Sequence, residues 1–318
     1  MRSNTKKRTA RKNRAVVLFG PTAVGKTAMT EALFSGSAEI ISADSVQVYR
    51  GFDIGSAKPD GHLLRLIPHH LIDIRDPWEQ YTAGDFVRDA EALIPQIISR
   101  GRIPLITGGT AYYFRQLISG PSEAPKSDPE VRESVRREIE EKGSEWAYSY
   151  LGEIDPVSHG RIAAADIYRI SRAIEVYRSS GRPLSSYAAS SAPDADYIII
   201  CLVRDKAELS ARIEMRVDEM FRLGLYDEVR ELFRQGADAS WPAMNAIGYR
   251  EFLEAAETGE ASLLSIKESI IRNTRQYAKR QMTFFRSFAS CRFFHPDDIE
   301  GIRSALIESG ISPDALGA

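Results

Sequence analysis

The sequence predicts an α/β fold, a parallel sheet core with an inserted helical domain, and three observations carry that expectation. Short apolar runs, AVVLF at 15–19, AEIISAD at 38–44, RIPLIT at 102–107 and YIIICLV at 197–203, alternate with helical patterns. Such runs suit strands covered on both faces, as in parallel sheets. Between the third and fourth runs the texture changes, and residues 130–180 read as helices with no convincing strand. Two small-residue joints containing Pro, PSEAPKSDP at 121–129 and SSYAASSAPDAD at 185–196, bracket that stretch. The 318 residues are thus expected to divide into a basic tail (1–14), the first part of the core (15–120), a helical insertion (121–190), and core completion with C-terminal helices (191–318).

The tail, MRSNTKKRTARKNR, carries seven basic side chains and no acid, and is expected to be disordered. A transit peptide and a non-specific RNA-binding arm are its sharper readings. Overall, 42 Lys+Arg stand against 44 Asp+Glu, a net charge of −2 that on its face argues against a bulk-electrostatic nucleic-acid binder. Without the tail the body is more acidic still. A composition of 43% hydrophobic and 27% charged residues excludes collagen-like and wholly disordered classes. Two cysteines, Cys201 and Cys291, give no disulfide framework and no CxxC pair, so a reducing cytoplasm is the expected compartment. The longest apolar run, Tyr197–Val203, is too short to span a membrane, and Ala15–Phe19 is too short for a signal-peptide core.

After the first strand comes GPTAVGKT at 20–27, which fits G-x-x-x-x-G-K-[ST] at every fixed position, and then a helix from about Ala28 to Phe34. The glycines let backbone N–H groups curl around an anion, Lys26 brings a charge to the terminal phosphate, and Thr27 offers a hydroxyl to Mg²⁺. A polyphosphate or diphosphate is expected here. The second strand runs into Asp44, which as a ligand-side acid is either a metal ligand or a general base, and as a plain turn residue is a helix cap. A helix over Gly84–Ser99 leads to the third strand, where P-loop phosphotransferases carry a metal-binding Asp; this strand instead closes in Gly108-Gly109-Thr110. His69-His70 has no carboxylate or cysteine spacing to complete a metal site, so a loop or capping role is favoured.

Three basic groups follow. Arg161, Arg169, Arg172, Arg178 and Arg182 form a positive stripe in the insertion. Arg212 and Arg216 stand at i and i+4 on one helix face, suiting a phosphate clamp or, with Glu208, Glu214 and Asp218 nearby, surface ion pairs. RNTRQYAKRQMTFFR at 272–286 interleaves basic and aromatic residues without an acid, pointing to nucleic acid or to a half-buried helix. Long helical patterns cover 205–235 and 261–288.

From about Val16 to Arg286 these motifs, in this order, resemble the tRNA dimethylallyltransferases (tRNA isopentenyltransferases), bacterial type. The resemblance rests on GPTAVGKT, ISADSVQVYRGFDIGSAKP (41–59), HLIDIRDPWEQYTAGDF (70–86), RIPLITGGTAYY (102–113), DPEVR (128–132), RISRAIEVYRSSGRPLS (169–185), IGYRE (247–251) and TRQYAKRQMTFFR (274–286). It implies a core similar to P-loop kinases with a helical insertion gripping the anticodon stem-loop. It also implies transfer of a dimethylallyl group from its diphosphate to N6 of the adenosine 3′-adjacent to the tRNA anticodon.

By that resemblance Gly20, Pro21, Thr22, Ala23, Val24, Gly25, Lys26 and Thr27 bind the diphosphate, with Mg²⁺ on Thr27. Asp44 is then the general base, while Thr110 and Arg216 steady the leaving diphosphate. Asp44, Ser45, Val46, Gln47, Thr110, Arg132, Arg169, Arg172, Asn245, Gly248, Tyr249 and Arg250 contact tRNA. A monomer without membrane attachment is expected. The sequence departs from the family pattern at Ala164-Ala165, where Pro-Asn is usual, at Tyr112, where Leu is usual, and in lacking the C-terminal zinc finger of eukaryotic relatives. A small-molecule P-loop kinase, a non-catalytic RNA-binding regulator and an adenylate dimethylallyltransferase are the competing readings.

Overall fold

Asn13–Phe19 forms β1, whose last five residues are fully buried, and the chain turns from it through the glycine loop into α1, Lys26–Phe34. This computed structural model describes residues 13–120, 123–126, 128–187, 195–259, 262–288 and 290–316. The expected tail therefore lies outside the described residues except for Asn13 and Arg14. Those two belong to the sheet: they pair with Ala195 and Asp196, and the Arg14 guanidinium reaches Asp196 (3.6 Å) and donates to the Gly310 carbonyl (3.2 Å).

The chain continues through β2 (Ala38–Ser42), α2 (Gly61–Leu66), β3 (His69–His70), α3 (Ala83–Ser99), β4 (Ile103–Thr107) and α4 (Ala111–Ser119). Next come α5 (Pro129–Lys142), α6 (Ser144–Ile154), α7 (Pro156–His159) and α8 (Ile167–Ser180). The last stretch holds β5 (Ala195–Leu202), α9 (Lys206–Arg222), α10 (Leu225–Arg234), α11 (Arg250–Thr258), α12 (Leu263–Phe285), β6 (Arg292–Phe294) and α13 (Ile299–Glu308). Among the described residues the six strands make one parallel sheet in the order β3-β2-β4-β1-β5-β6. The α/β expectation holds.

Apolar side chains cover both faces, which is why the strands lack polar alternation. On one face Val16, Leu18, Ile40 and Leu105 pack with Met29 and Leu33 of α1 and Ile302 of α13. On the other, Val17, Phe19, Ile41 and Ile106 pack with α3, α4 and α12, and the Phe285 ring stacks on Phe19 at 4.3 Å. Phe285 is thus a core residue, as the half-buried-helix reading of 272–286 expects, and Phe284 packs partly buried against it. Several elements were not foreseen: β3 and β6 are too short for the apolar-run criterion, and the helices α2, α4, α11 and α13 lie outside the expected helical stretches. The expected 205–235 helix is two helices because Gly224, at φ 99°, ends the first and opens the second.

Contacts divide the chain into residues 1–118 with 193–318, which contain the sheet, and residues 119–192. The second unit packs its own small core from Val135, Ala147, Leu151, Ile170, Ala173 and Ile174. Asp128 caps α5, and buried Asp155 accepts from the amides and hydroxyls of Ser158 and Ser185. The arginine stripe is less free than its sequence suggests. Arg178 makes a bidentate pair with Glu138 (2.6 and 3.1 Å), and Arg172 donates to the Pro125 carbonyl and lies 3.5 Å from Glu175. Arg169, exposed, lies 3.3 Å from Asp166, and Arg132 is exposed on α5.

Candidate active site

Three loops at the carboxyl ends of β1, β2 and β4 meet at one edge of the sheet, where parallel α/β folds place ligands. In the first, Lys26 opens α1 and folds back to donate to the carbonyls of Gly20 (2.9 Å) and Pro21 (3.0 Å). Burial first, and Arg216 second, push its ammonium down to about 8, against the opposing field of Asp44. Two arginines brace this loop from outside: Arg204 donates to the Val24 carbonyl (2.7 Å) and Arg212 to the Ala23 carbonyl (2.9 Å). Arg212 is therefore a loop support, while Arg216 points into the cavities beside Lys26 and is held below its usual range by burial. The neighbouring acids are engaged elsewhere, Glu214 with Arg275 (2.8 Å) and Asp218 with Lys267 (2.7 Å), which removes the ion-pair reading for the two arginines.

The second loop begins where β2 stops. Asp44 Oδ1 accepts from the Val46 and Gln47 amides (2.9 and 3.3 Å), a local turn that fixes the carboxylate. Among the described residues no donor is recorded for its other oxygen. Gln47 is a tie within the site: it accepts from Ser42 (3.0 Å) and donates to the Ser56 and Ala57 carbonyls (3.3 and 3.2 Å).

The third loop, Gly108-Gly109-Thr110, presses against the second. A Cβ on Gly108 would lie 2.2 Å from the Ala43 carbonyl oxygen, so only glycine fits there. Thr110 donates its N–H to that same carbonyl (3.0 Å), while its hydroxyl oxygen accepts from the Ser45 amide (2.8 Å). Asp44 and Thr110 are thereby locked together by backbone.

These groups line a cavity of about 1140 Å³ that also takes in Thr27, Lys58, Asn245, Gly248, Arg250, Tyr277 and Arg280. Asn245 donates to the carbonyls of Ala239 (2.9 Å) and Trp241 (3.3 Å), and the Gly248 amide to Glu251 (2.8 Å). Tyr249 departs from its sequence assignment. Its side chain is fully buried against Phe52 with its hydroxyl on Glu228, so it is a core residue and not a surface for RNA.

Sequence reasoning missed three contributors. Glu228 of α10 accepts the backbone amides of Asp53, Ile54 and Gly55 (3.1, 2.7 and 3.2 Å) and so holds one cavity wall. Gln281 and Tyr277 of α12 both donate to the Gly109 carbonyl (2.6 and 2.9 Å). No composition or spacing signal marks a lone Glu or Gln for such a task. The basic–aromatic motif at 272–286 did contain two of the three.

His69-His70 is a strand and not a loop. His70 meets buried Glu39 at 2.7 Å, Arg100 holds the same carboxylate at 2.8 and 2.6 Å, and together they keep Glu39 down at about 2, Arg100 being the main cause. No group of three His, Cys, Asp or Glu that could hold a metal occurs among the described residues. Thr27 brings one hydroxyl oxygen to the cavity, a donor of the kind that suits Mg²⁺, an ion that often draws its other ligands from substrate phosphates and water. No described helix is long and apolar enough to cross a membrane.

Comparison with known proteins agrees with this arrangement. A family model described as IPP transferase matches residues 47–288, and one described as isopentenyl transferase matches 13–73. The tRNA dimethylallyltransferase of Xanthomonas campestris pv. campestris (strain 8004) is 42% identical over 298 residues, covering 90% of this chain and 91% of that one. The tRNA dimethylallyltransferase of Stenotrophomonas maltophilia (strain K279a) is 41% identical over 302 residues, covering 92% and 95%. Among solved structures, the full-length tRNA isopentenylpyrophosphate transferase of Bacillus halodurans superposes with a TM-score of 0.66 at 33% identity, covering 94% of this chain and 96% of that one. A eukaryotic dimethylallyltransferase acting on tRNA superposes at 0.71 over 94% and 78% with 24% identity, a likeness that bears on fold alone. A P-loop core in which β4 runs into GGT and not into an acid, with these relatives along nearly its whole length, places the chain in the IPP transferase family, that of the tRNA dimethylallyltransferases.

Proposed function

We propose that the chain transfers the dimethylallyl group of dimethylallyl diphosphate to N6 of the adenosine 3′-adjacent to the anticodon of tRNA, with Asp44 as the base. The observation that carries this is a carboxylate, Asp44, held by Val46 and Gln47 in the same cavity as Lys26 and Arg216. A cation pair suits a diphosphate, and a carboxylate beside it suits a proton leaving a nucleophile.

The Gly20–Thr27 loop cradles the diphosphate, the backbone N–H groups of its later residues turned to the anion, and Lys26 turns from the loop carbonyls to it. Mg²⁺ held by Thr27 and the diphosphate would neutralise charge on the leaving group. The adenine amine is a poor nucleophile, so its proton must leave as the new bond forms. The N6 lone pair attacks C1 of the donor, the C1–O bond breaks, the electron pair departs with diphosphate, and Asp44 takes the N6 proton. Thr110 and Arg216 steady the charge growing on the departing oxygens.

An adenine inside a folded anticodon loop reaches this cavity only when turned out of its stack. Ser45, Val46, Gln47, Asn245, Gly248 and Arg250 receive it and its flanking nucleotides. Arg132, Arg169 and Arg172 of the helical unit contact the stem-loop by phosphate pairing, which positions without reading sequence. We read the chain as acting in the cytoplasm as a monomer, in keeping with a site whose described lining comes from one chain.

The test uses labelled dimethylallyl diphosphate with an unmodified tRNA bearing adenosine after the anticodon. Label is expected in the tRNA, and Asp44→Ala is expected to abolish turnover while retaining tRNA binding. Absence of label together with ATP-dependent phosphorylation of a metabolite would replace this reading with that of a kinase.

A further inference from the structure

Gln281 sits on α12 with only 1% of its surface exposed, yet its side chain is bonded to two loops that reach the site from different strands. Its Oε1 accepts the N–H of Thr22 in the phosphate loop (3.1 Å), and its Nε2 donates to the carbonyl of Gly109 beside Thr110 (2.6 Å). The direction of the amide is forced. Reversed, it would set oxygen against the Gly109 oxygen and NH₂ against the Thr22 N–H. A Cβ built on Gly109 would stand 3.3 Å from Asp44 Oδ2 and 3.5 Å from Gln281 Nε2, so the amide and the base lie about one glycine.

We propose that Gln281 is a positioning residue that sets the distance between donor and acceptor in the transfer reaction; this rests on the roles given above to Asp44 and Thr110. The chemistry needs the diphosphate-bearing carbon and N6 aligned within contact distance, and misplacement of about 1 Å costs on the order of 100-fold in rate. The donor is held by the phosphate loop, and the acceptor side is held by Asp44, Ser45 and Thr110. Those two halves hang from β1, β2 and β4, and Gln281 bolts the phosphate loop to the Gly109 peptide.

The bond also has an electrostatic effect. The Gly109 carbonyl, taken by Gln281 and by the Tyr277 hydroxyl (2.9 Å), has its negative end turned onto α12 and away from an incoming diphosphate. The Thr22 N–H is committed to Gln281, which leaves the amides further along the loop for the anion.

Two substitutions test this. Gln281→Met keeps length and removes both polar atoms. Gln281→Glu keeps the acceptor for Thr22 but loses the donor for Gly109 unless the carboxyl is protonated, when it can supply both.

For Gln281→Met the expected result is inorganic diphosphate and tRNA affinities within about threefold of the parent, with kcat lower by about 100-fold. For Gln281→Glu the ratio of its kcat to that of the parent is expected to rise as pH falls from 8.5 to 6. Taking the ratio cancels pH effects that the two proteins share, and a packing role would give no such rescue. An unchanged kcat in Gln281→Met, or a pH-independent ratio in Gln281→Glu with kcat loss tracking a loss of melting temperature, would overturn the proposal. If Gln281→Met does not fold, the Gln281→Glu ratio decides alone. Asp44→Asn, run in parallel, separates the two levels: turnover surviving in it refutes the base assignment, whereas its loss beside an active Gln281→Met refutes only the role of Gln281.

Discussion

The Tyr249 hydroxyl donates to Glu228 at 2.7 Å, and the same carboxylate gathers the amides of Asp53, Ile54 and Gly55. One side chain of α10 therefore fixes a cavity-lining loop that has no strand or helix of its own. Glu228→Ala is expected to cost about 3 kcal/mol or more, since it strands three amides and a buried hydroxyl. It is also expected to raise KM for tRNA by loosening the wall. Tyr249→Phe removes one bond of the four and should cost about 1–2 kcal/mol. Denaturant titration and steady-state kinetics check both.

Lys26 offers a pH signature. In the free protein its ammonium is pushed down to about 8 by burial and Arg216. A bound diphosphate favours the charged form, so its folded, liganded pKa rises. Binding is therefore expected to take up a proton when pH lies above about 8, with affinity falling as pH increases beyond that point, and to take up none through Lys26 at pH 6. Calorimetric titration of diphosphate in buffers of different ionisation enthalpy measures the uptake directly.

Glu39 makes a stability signature of opposite sense. Held at about 2 by Arg100 and His70 against an ordinary 4.5, it gives stability that is fully present above about 4.5 and lost as pH falls toward 2. The shift corresponds to about 3 kcal/mol at neutral pH. Glu39→Gln should lose much of that at pH 7 and flatten the acid limb of stability. Urea denaturation across pH 2–7 distinguishes the two proteins.

Gly108→Ala is the steric test. Its Cβ would meet the Ala43 carbonyl at 2.2 Å, and relief must come from parting the loops that carry Asp44 and Thr110. Overpacking of this kind costs about 1–3 kcal/mol. Activity is expected to fall further than stability, and comparing kcat with melting temperature shows whether it does.

The parts of this architecture that could be read from sequence are those written in local pattern. β1, β2, β4 and β5 declared themselves because each is an apolar run, the first three ended by glycine or an acid, and GPTAVGKT because its backbone geometry demands those residues. The strands β3 and β6, two and three residues long, carry too little pattern to see; they exist by pairing with β2 and β5. In the site the same division holds. Asp44 and Thr110 lie in the loops just past β2 and β4, and Lys26 in the glycine-loop motif that opens α1, where position alone suggests use. Glu228 and Gln281 act across 174 and 259 residues of chain, and only the tertiary fold assigns them partners. Tyr249 was misassigned for the mirror-image reason: it lies within a motif, IGYRE, whose neighbours face the cavity while its own ring faces the core.

The position of β1 in the sheet bears on how the protein is made. Its seven-residue ladder is with β5, Asn13 to Phe19 against Ala195 to Cys201, so the strand carrying the phosphate loop emerges early in synthesis and waits for its partner. Residues 119–192 are built in that interval and have a core of their own. During translation the helical unit can thus be finished first, while β1, β2 and β4 form an open half-sheet with an apolar edge. Such an edge invites pairing with another chain. In a nascent chain the edge of β1 stays open until the β5 segment has been made.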